Sequence, residues 1–194
     1  IGLNMEADDN GGAFIVWGDS RNPSKDLYAQ RLDASGNPLW ALNGIPVADG
    51  NGDEVQNTML PDGQGGMMLA YTHTYVGDAD IYARHYDGNG NMTWAAPLPL
   101  AVANGDQSGV RMAALTGGEF MFTWTDHRDP NPDIYGQKIN IDGDMLWSNP
   151  YVVFADQTAT TPAKQRNPRI QATSDNAAVI VWEDFRMNPA EPSA

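Results

Sequence analysis

Apolar and polar residues alternate along short stretches of the chain, which is the period-two pattern of β-strands. In the segment at 14–19, Ile15 and Trp17 fall on one face, while Phe14 and Val16 fall on the other. Both faces are therefore apolar, and no stretch of the chain sustains helical spacing. Because a strand that is apolar on both faces must be covered on both faces, the pattern favours sheets packed against sheets.

This pattern returns in an internal repeat that organises the whole chain. Three segments align without gaps, at 14–40, 68–94 and 121–147, and a fourth copy begins at Val179. The first aromatics of successive copies are 54, 53 and 58 residues apart, a period in the range of propeller blades. In each complete copy the first aromatic precedes a closing Trp by 23 residues, in the pairs Trp17 and Trp40, Tyr71 and Trp94, and Trp124 and Trp147.

Each complete copy divides into four strands, so the chain is predicted to be all-β and to form part of a β-propeller. The copies give about three and a half four-stranded antiparallel blades, because the fourth copy holds two strands. Such an arc leaves an apolar blade face and a sheet edge open, so we expect the natural chain to continue beyond Ala194, before Ile1, or both. The predicted blades span 1–49, 50–104, 105–156 and, incompletely, 157–194.

Composition and charge exclude several classes of function. The chain has 194 residues, 25 of them acidic and 11 basic, with a formal net charge of -14. This charge repels the phosphate backbone, so we expect no nucleic-acid partner. Because no apolar run approaches the length of a membrane helix, we expect no membrane insertion either. Cysteine is absent, which excludes disulfides, thiolate catalysis and zinc–thiolate sites.

A W-x-D-x-R motif marks three of the copies, and two interpretations of it are open. An arginine cluster could bind a carboxylate substrate, since the guanidinium group pairs with a carboxylate in two places at once. We favour structural ion pairs, because a residue present in several blades serves a need that those blades share. The repeated aromatics could likewise stack on sugars, but large aromatics in strands more often fill the core. The motif residues are Trp17, Asp19 and Arg21, then Trp124, Asp126 and Arg128, then Trp182, Asp184 and Arg186.

The second copy departs from the repeat, and a departure confined to one blade is where binding residues are expected. His73 and Tyr75 replace the Asp and Arg of the motif, and His85 replaces a basic residue of the other copies. A histidine can serve as a general base or a metal ligand. We expect His73, Tyr75 and His127 to share one rim as binding residues. No nucleophile–base pair, carboxylate pair or metal triad with specific spacing is visible, so no catalytic residue is assigned.

Two Asp- and Asn-rich turns space oxygen ligands at alternate positions, as calcium-binding loops do. Both lack the glycine at position six and the bidentate glutamate at position twelve of such loops. Solvated turns are the favoured interpretation, with Ca²⁺ as the alternative, and no other cofactor is predicted. The candidate ligands are Asp49, Asn51 and Asp53 in the first turn, and Asp87, Asn89 and Asn91 in the second.

Together, W-x-D-x-R, D-[IL]-Y-[AG]-[QR] and x-G-x-x-x-W resemble the propeller repeats of large secreted or surface proteins of gliding and related Gram-negative bacteria. Many proteins of that kind end in a type IX secretion sorting domain, so the resemblance implies a secreted or cell-surface location. The turn DASGNPLW at 33–40 also resembles the Asp-box turn of sialidase-like propellers. Its counterpart in the third copy has Asn140 in place of the aspartate, and the Asp-to-Trp spacing is longer than in that turn.

Three functions remain open at this point. The favoured hypothesis is a non-catalytic scaffold that presents its loops to a protein or glycan and packs against the remaining blades of the parent chain. The first alternative is a fragment of a sialidase-like glycoside hydrolase, with its acid and nucleophile in other blades. The second alternative is a structural spacer within a large surface adhesin.

Overall fold

The chain is built from β-strands in a computed structural model that describes residues 2–148, 151–152 and 164–185. Within these residues no helix is long and apolar enough to cross a membrane. The strands are β1 (Leu3–Ala7), β2 (Ala13–Asp19), β3 (Asp26–Leu32), β4 (Ile45–Ala48), β5 (Asp53–Pro61), β6 (Met67–Thr74), β7 (Ala79–Tyr86), β8 (Leu98–Ala101), β9 (Gln107–Leu115), β10 (Glu119–Asp126), β11 (Asp133–Asn140), β12 (Tyr151–Val152), β13 (Gln165–Ala172) and β14 (Ala178–Asp184).

These strands form four antiparallel sheets, which we call blades 1 to 4. Blades 1, 2 and 3 contain β1–β4, β5–β8 and β9–β12, and blade 4 contains β13 and β14. Within each blade every strand pairs with the next strand along the chain, which is the order found in propeller blades. The prediction of an all-β partial propeller is confirmed.

The blades are arranged around a common axis. The first strand of each blade contacts the first strand of the next, so that β1 lies beside β5, β5 beside β9, and β9 beside β13. The second strand of each blade pairs with this inner strand, and each later strand pairs with the one before it. Inner strands from four blades therefore approach one another, although they lie far apart in the sequence.

Blade 2 shows why both faces of each strand are apolar. Met67, Leu69 and Tyr71 of β6 pack into a core shared with blade 1. The alternate residues Met68 and Ala70 pack into a second core shared with blade 3. Because successive side chains of a strand point to opposite faces, one strand supplies both cores.

The apolar residue of the first strand is buried where another blade packs against it and exposed where no described blade does. Met59 and Met112 are buried in the cores on either side of blade 2. Met5 and Leu3 of β1 are 64% and 68% exposed, because no described residue of another blade covers that face of blade 1. The same side-chain type is therefore core in one copy and surface in another.

The closing Trp of one blade holds the hairpin turn of the next. Trp40 Nε1 donates a hydrogen bond to the carbonyl oxygen of Gly88 at 3.1 Å. Trp94 Nε1 donates in the same way to the carbonyl oxygen of Ile141 at 3.0 Å. The constant 23-residue spacing therefore places an indole donor at the boundary between consecutive blades.

We expect Trp94→Phe to lower the free energy of unfolding by about 1–2 kcal/mol, because it removes this hydrogen bond and some buried volume. The control is Tyr135→Phe, which removes a hydroxyl group with no hydrogen bond among the described residues. We expect the control to change stability by less than about 0.5 kcal/mol. Denaturant unfolding of both variants measures the difference, and equal effects would contradict the role given to Trp94.

Candidate functional site

A cavity of about 630 Å³ lies where the inner strands of the four blades meet, and we call it the axial cavity. Residues of β5, β9 and β13 line it, together with Gly2 and Asn4 at the beginning of blade 1. Thr125 and His127, at the end of β10, complete the wall. The other lining residues are Gln56, Asn57, Thr58, Ser108, Gly109, Arg111, Arg166 and Asn167.

Irregular backbone shapes the wall of this cavity. The pairing of β5, β9 and β13 with the second strand of each blade slips by a bulge beside the cavity. At each bulge one residue has a left-handed conformation, with φ of 50° at Gln56, 66° at Gly109 and 56° at Asn167. For a residue other than glycine this conformation costs on the order of 1 kcal/mol. Bulges redirect side chains and are frequent beside binding sites.

The bulge positions were missed by the sequence analysis. Gln56, Gly109 and Asn167 each stand three residues before the apolar position of the first strand. Glycine and asparagine both tolerate left-handed backbone, so their recurrence at one place in the repeat was the signal. Glutamine does not favour left-handed backbone, so Gln56 at the same place in β5 interrupts this pattern.

Amide side chains at the bulges tie neighbouring blades together. Asn4 Nδ2 donates to the carbonyl oxygen of Asn57 at 2.6 Å and to its side-chain oxygen at 2.5 Å. The backbone N–H of Gly109 donates to Gln56 Oε1 at 3.0 Å. The wall is therefore built from polar groups that are fixed by contacts across the blade boundaries.

The axial cavity also carries positive charge. Arg111 is half-buried, and burial together with the nearby charge of Arg169 lowers the pKa of its guanidinium group. Arg166 lines the cavity as well and forms an ion pair with Glu183 at 3.4 Å. The described lining residues include neither aspartate nor glutamate, although the chain as a whole is strongly acidic.

The W-x-D-x-R motif forms a local unit in blade 3. Trp124 Nε1 donates to Asp126 Oδ2 at 3.0 Å, and Arg128 contacts both carboxylate oxygens through Nε and Nη2, at 2.9 and 2.7 Å. The Arg128 guanidinium also lies 4.2 Å from the ring centre of Tyr135. Burial alone would raise the pKa of Asp126, but hydrogen bonds from Arg128 and Trp124 outweigh it and lower this pKa.

Blade 1 repeats this unit, and blade 4 shows only part of it. Asp19 accepts hydrogen bonds from Trp17 Nε1 and Arg21 Nη2, and Arg21 lies 3.7 Å from the ring centre of Tyr28. In blade 4 Trp182 is half-buried and Asp184 ends β14, while Arg186 lies outside the described residues.

The structure places the three predicted binding residues in two cavities. His73 and Tyr75 stack with ring centres 6.5 Å apart and line a cleft of about 330 Å³ on blade 2. His127 lines the axial cavity instead, and its Nδ1 lies 3.1 Å from the carbonyl oxygen of Asp106. All three lie at the ends of second strands, but they do not form one site.

His85 contacts an aspartate at the place where Arg31 does so in blade 1. Its Nε2 lies 2.8 Å from Asp62 Oδ2, and its Nδ1 lies 2.7 Å from Thr93 Oγ1. In blade 1 the corresponding pair is Arg31 and Asp8, whose nearest atoms are 2.8 Å apart. The substitution by His85 therefore keeps a buried pair within the blade.

In both candidate calcium turns, an aspartate side chain accepts hydrogen bonds from backbone N–H groups of the protein. Asp87 accepts backbone hydrogen bonds from Asn89 and Asn91 at 2.9 and 2.8 Å. Asp53 accepts one from the backbone N–H of Lys25 at 3.0 Å. The described part of the chain holds no group of three His, Asp or Glu placed for a metal ion. Calcium binding at Asp49, Asn51 and Asp53 or at the second turn stays the alternative to solvated turns, which are the favoured interpretation.

Two solved structures are similar to this chain over nearly its whole length. One is an endo-arabinase from Bacteroides thetaiotaomicron, which is 12% identical with a TM-score of 0.51; the match covers 98% of this chain and 71% of the arabinase. The other is a thermostable family-43 glycoside hydrolase, which is 9% identical with a TM-score of 0.55; here the match covers 98% and 67%. No protein-family model and no curated protein match the chain.

At these identities the similarity shows the fold alone, which is a β-propeller. It agrees with the blade arrangement described above. The resemblances to type IX secretion-associated repeats and to Asp-box propellers remain predictions.

One buried acid of blade 2 has an unusual setting. Glu54 is 2% exposed and occupies the place that Gln107 and Gln165 hold in the other blades. Its Oε1 contacts His73 Nδ1 at 2.9 Å, and its Oε2 has no hydrogen-bond partner among the residues that the structure describes. Burial raises the pKa of Glu54 and the charge of Asp26 adds to this effect, while His73 offsets it in part.

We expect Glu54→Gln to stabilise the protein at pH 7. Because the folded-state pKa of Glu54 lies above its unfolded value, the native state holds more protons, and stability contributed by this group falls as pH rises through that range. The gain should vanish below about pH 4, where the acid is protonated in both states. Denaturation from pH 4 to 8 measures it, with Glu6→Gln at an exposed site as the control. A loss of stability at pH 7 would contradict the assignment.

Proposed function

We propose that this chain is a glycan-binding β-propeller segment whose ligand enters the axial cavity. The observation that carries the proposal is the wall of that cavity, which four blades line with amide, hydroxyl and guanidinium groups. Asn4 and Asn57 supply amides, and Thr58 and Ser108 supply hydroxyls. Groups of this kind form the directional hydrogen bonds that sugar hydroxyls need.

The charge of the wall favours a glycan that carries an acidic group. Arg111 and Arg166 line the cavity, and no aspartate or glutamate is among its described lining residues. The cavity wall therefore differs in charge from the chain as a whole, whose net charge is -14. Guanidinium groups recognise carboxylates through paired hydrogen bonds. A sugar acid would combine a carboxylate for the arginines with hydroxyls for the amides.

A second candidate is a part of a glycoside hydrolase, and the fold similarity favours it. Both solved structures described above are named as enzymes that act on glycosides or arabinose polymers. Glycoside hydrolysis uses a pair of carboxylates about 5–10 Å apart on either side of the scissile bond. Release of reducing sugar from arabinan or from aryl glycosides by the chain would favour this candidate over a non-catalytic scaffold.

The location of the protein is part of the proposal, and a structural spacer is the alternative to ligand binding. We propose that the protein acts outside the cell, as the resemblance to secreted propeller repeats implies. If the chain is a structural spacer, we expect no glycan to bind to the axial cavity or to the cleft on blade 2. Binding measurements therefore separate the spacer from the scaffold.

We expect Arg111→Gln to weaken the binding of oligogalacturonate by about tenfold or more, because it removes a partner of the carboxylate. The binding should also weaken as salt is added. The matched control is Lys138→Gln on the third strand of blade 3, which removes one positive charge from an ion pair with Glu119 and does not line the cavity. Calorimetry compares both variants with the unaltered chain. Equal affinities for the two variants, or no binding by the unaltered chain, would contradict the proposal.

A further inference from the structure

In blades 1 and 3 an arginine of the chain covers the tyrosine of the third strand. Arg21 lies over Tyr28, and Arg128 lies over Tyr135, within 4.2 Å of the ring centre in both cases. The two tyrosines are accordingly only 8% and 7% exposed. This part of both blades is therefore closed by the protein itself.

Blade 2 lacks that cover. Tyr75 stands at the arginine position of the repeat, and Tyr82 stands at the tyrosine position. Tyr82 is only half-buried, and none of the described arginines lies over its ring. The result is a cleft, which we call the blade 2 cleft, lined by Gly50, Asn51, Glu54, Tyr71, His73, Tyr75, Tyr82, Arg84 and Pro97.

Aromatic rings form much of the wall of the blade 2 cleft. The Tyr82 ring meets His73 edge-on at 5.8 Å between ring centres, and it stacks with Tyr71 at 6.3 Å. Tyr75 stacks on His73 and is 56% exposed. The ring faces therefore offer apolar contact surface beside open solvent.

The polar groups of the cleft include both donors and acceptors with unused bonding capacity. His73 uses Nδ1 in its contact with Glu54, and no described residue bonds its Nε2. Arg84 donates through Nε to the Tyr71 hydroxyl at 3.1 Å and through Nη1 to the Tyr86 hydroxyl at 3.5 Å. Its Nη2 has no such partner among the described residues, so it can donate to a ligand.

We propose that the blade 2 cleft is a second carbohydrate-binding site, which stacks a neutral sugar ring on its tyrosines and bonds the sugar hydroxyls through His73 and Arg84. Aromatic faces beside mixed donors and acceptors suit a ring that is apolar on its face and polar at its edge. The site shares no lining residue with the axial cavity, so it does not depend on the function proposed for that cavity.

The charges of the cleft favour a neutral ligand over a peptide. An arginine or lysine side chain of a peptide would meet the guanidinium group of Arg84 in the wall. An acidic ligand would meet Glu54 in the wall and Asp80, which pairs with His73 across the strands. A volume of about 330 Å³ is also at the small end of the range for ligand sites, which suits a short stretch of sugar units.

The test converts the cleft into the closed arrangement of blade 3. The triple variant Glu54→Gln, His73→Asp and Tyr75→Arg installs the residue types of Gln107, Asp126 and Arg128 at the matching positions. We expect the new arginine to lie over Tyr82 and exclude the ligand. The probes are neutral oligosaccharides of xylose, arabinose, glucose and mannose, and saturation-transfer NMR and calorimetry detect their binding. We expect at least one to bind to the unaltered chain and to bind about tenfold or more weakly to the triple variant.

Three controls make the outcome decisive. Val76→Ala changes a fully accessible neighbour of Tyr75 that does not line the cleft, and it should bind as the unaltered chain does. Glu6→Gln, at an exposed site of blade 1 that lines neither cavity, should also retain neutral-sugar binding, even if the axial cavity proves to bind nothing. Near-UV circular dichroism and thermal unfolding establish that the triple variant is folded.

Three results would overturn the proposal. The first is that no oligosaccharide of the panel binds to the unaltered chain. The second is that a folded triple variant binds the sugars as well as the unaltered chain does. The third is that N-acetylarginine amide binds at the cleft while the sugars do not, which would make it a site for a cationic peptide side chain.

Discussion

The burial of both faces of each sheet is the constraint on which the rest of this structure depends. Blade 2 directs Met67 and Leu69 towards blade 1, and Met68 and Ala70 towards blade 3. Each square ångström of apolar surface removed from water contributes about 25 cal/mol, so a blade with one face uncovered loses the stabilisation that burial of that face would supply. Blades that are covered on both faces are arranged side by side around an axis. Their inner strands meet at that axis. The axial cavity follows from that convergence.

The repeat acts as a comparison within one molecule, because the same position can be followed through several blades. Asp126 and Arg128 form the same contacts as their counterparts in blade 1, which agrees with a structural role for the motif. Where blade 2 departs from the motif, the covering arginine is lost and a half-buried tyrosine lines a cleft. The retained contacts therefore stabilise blades 1 and 3, and their loss leaves an open cleft on blade 2.

Charge is distributed unevenly over this acidic chain. Arg111 and Arg166 line the axial cavity, and burial together with the nearby charge of Arg169 lowers the pKa of Arg111. The blade 2 cleft instead combines one arginine with a buried acid whose pKa is raised. The two cavities therefore differ in charge, which is why we propose an acidic sugar for the first and a neutral sugar for the second.

The sequence by itself determined the strands, their order within each blade and the propeller class, because these follow from period-two alternation and from a repeat that links residues close in the chain. It also singled out His73, Tyr75 and His127 and placed them on one rim. All three lie at the ends of second strands, and the structure divides them between two cavities. Only the tertiary structure revealed the bulge at Gln56, a residue type that does not indicate left-handed backbone, and the cation-lined axis. The axis arises between blades, where residues more than fifty positions apart meet, and no local pattern records which side chains face each other there.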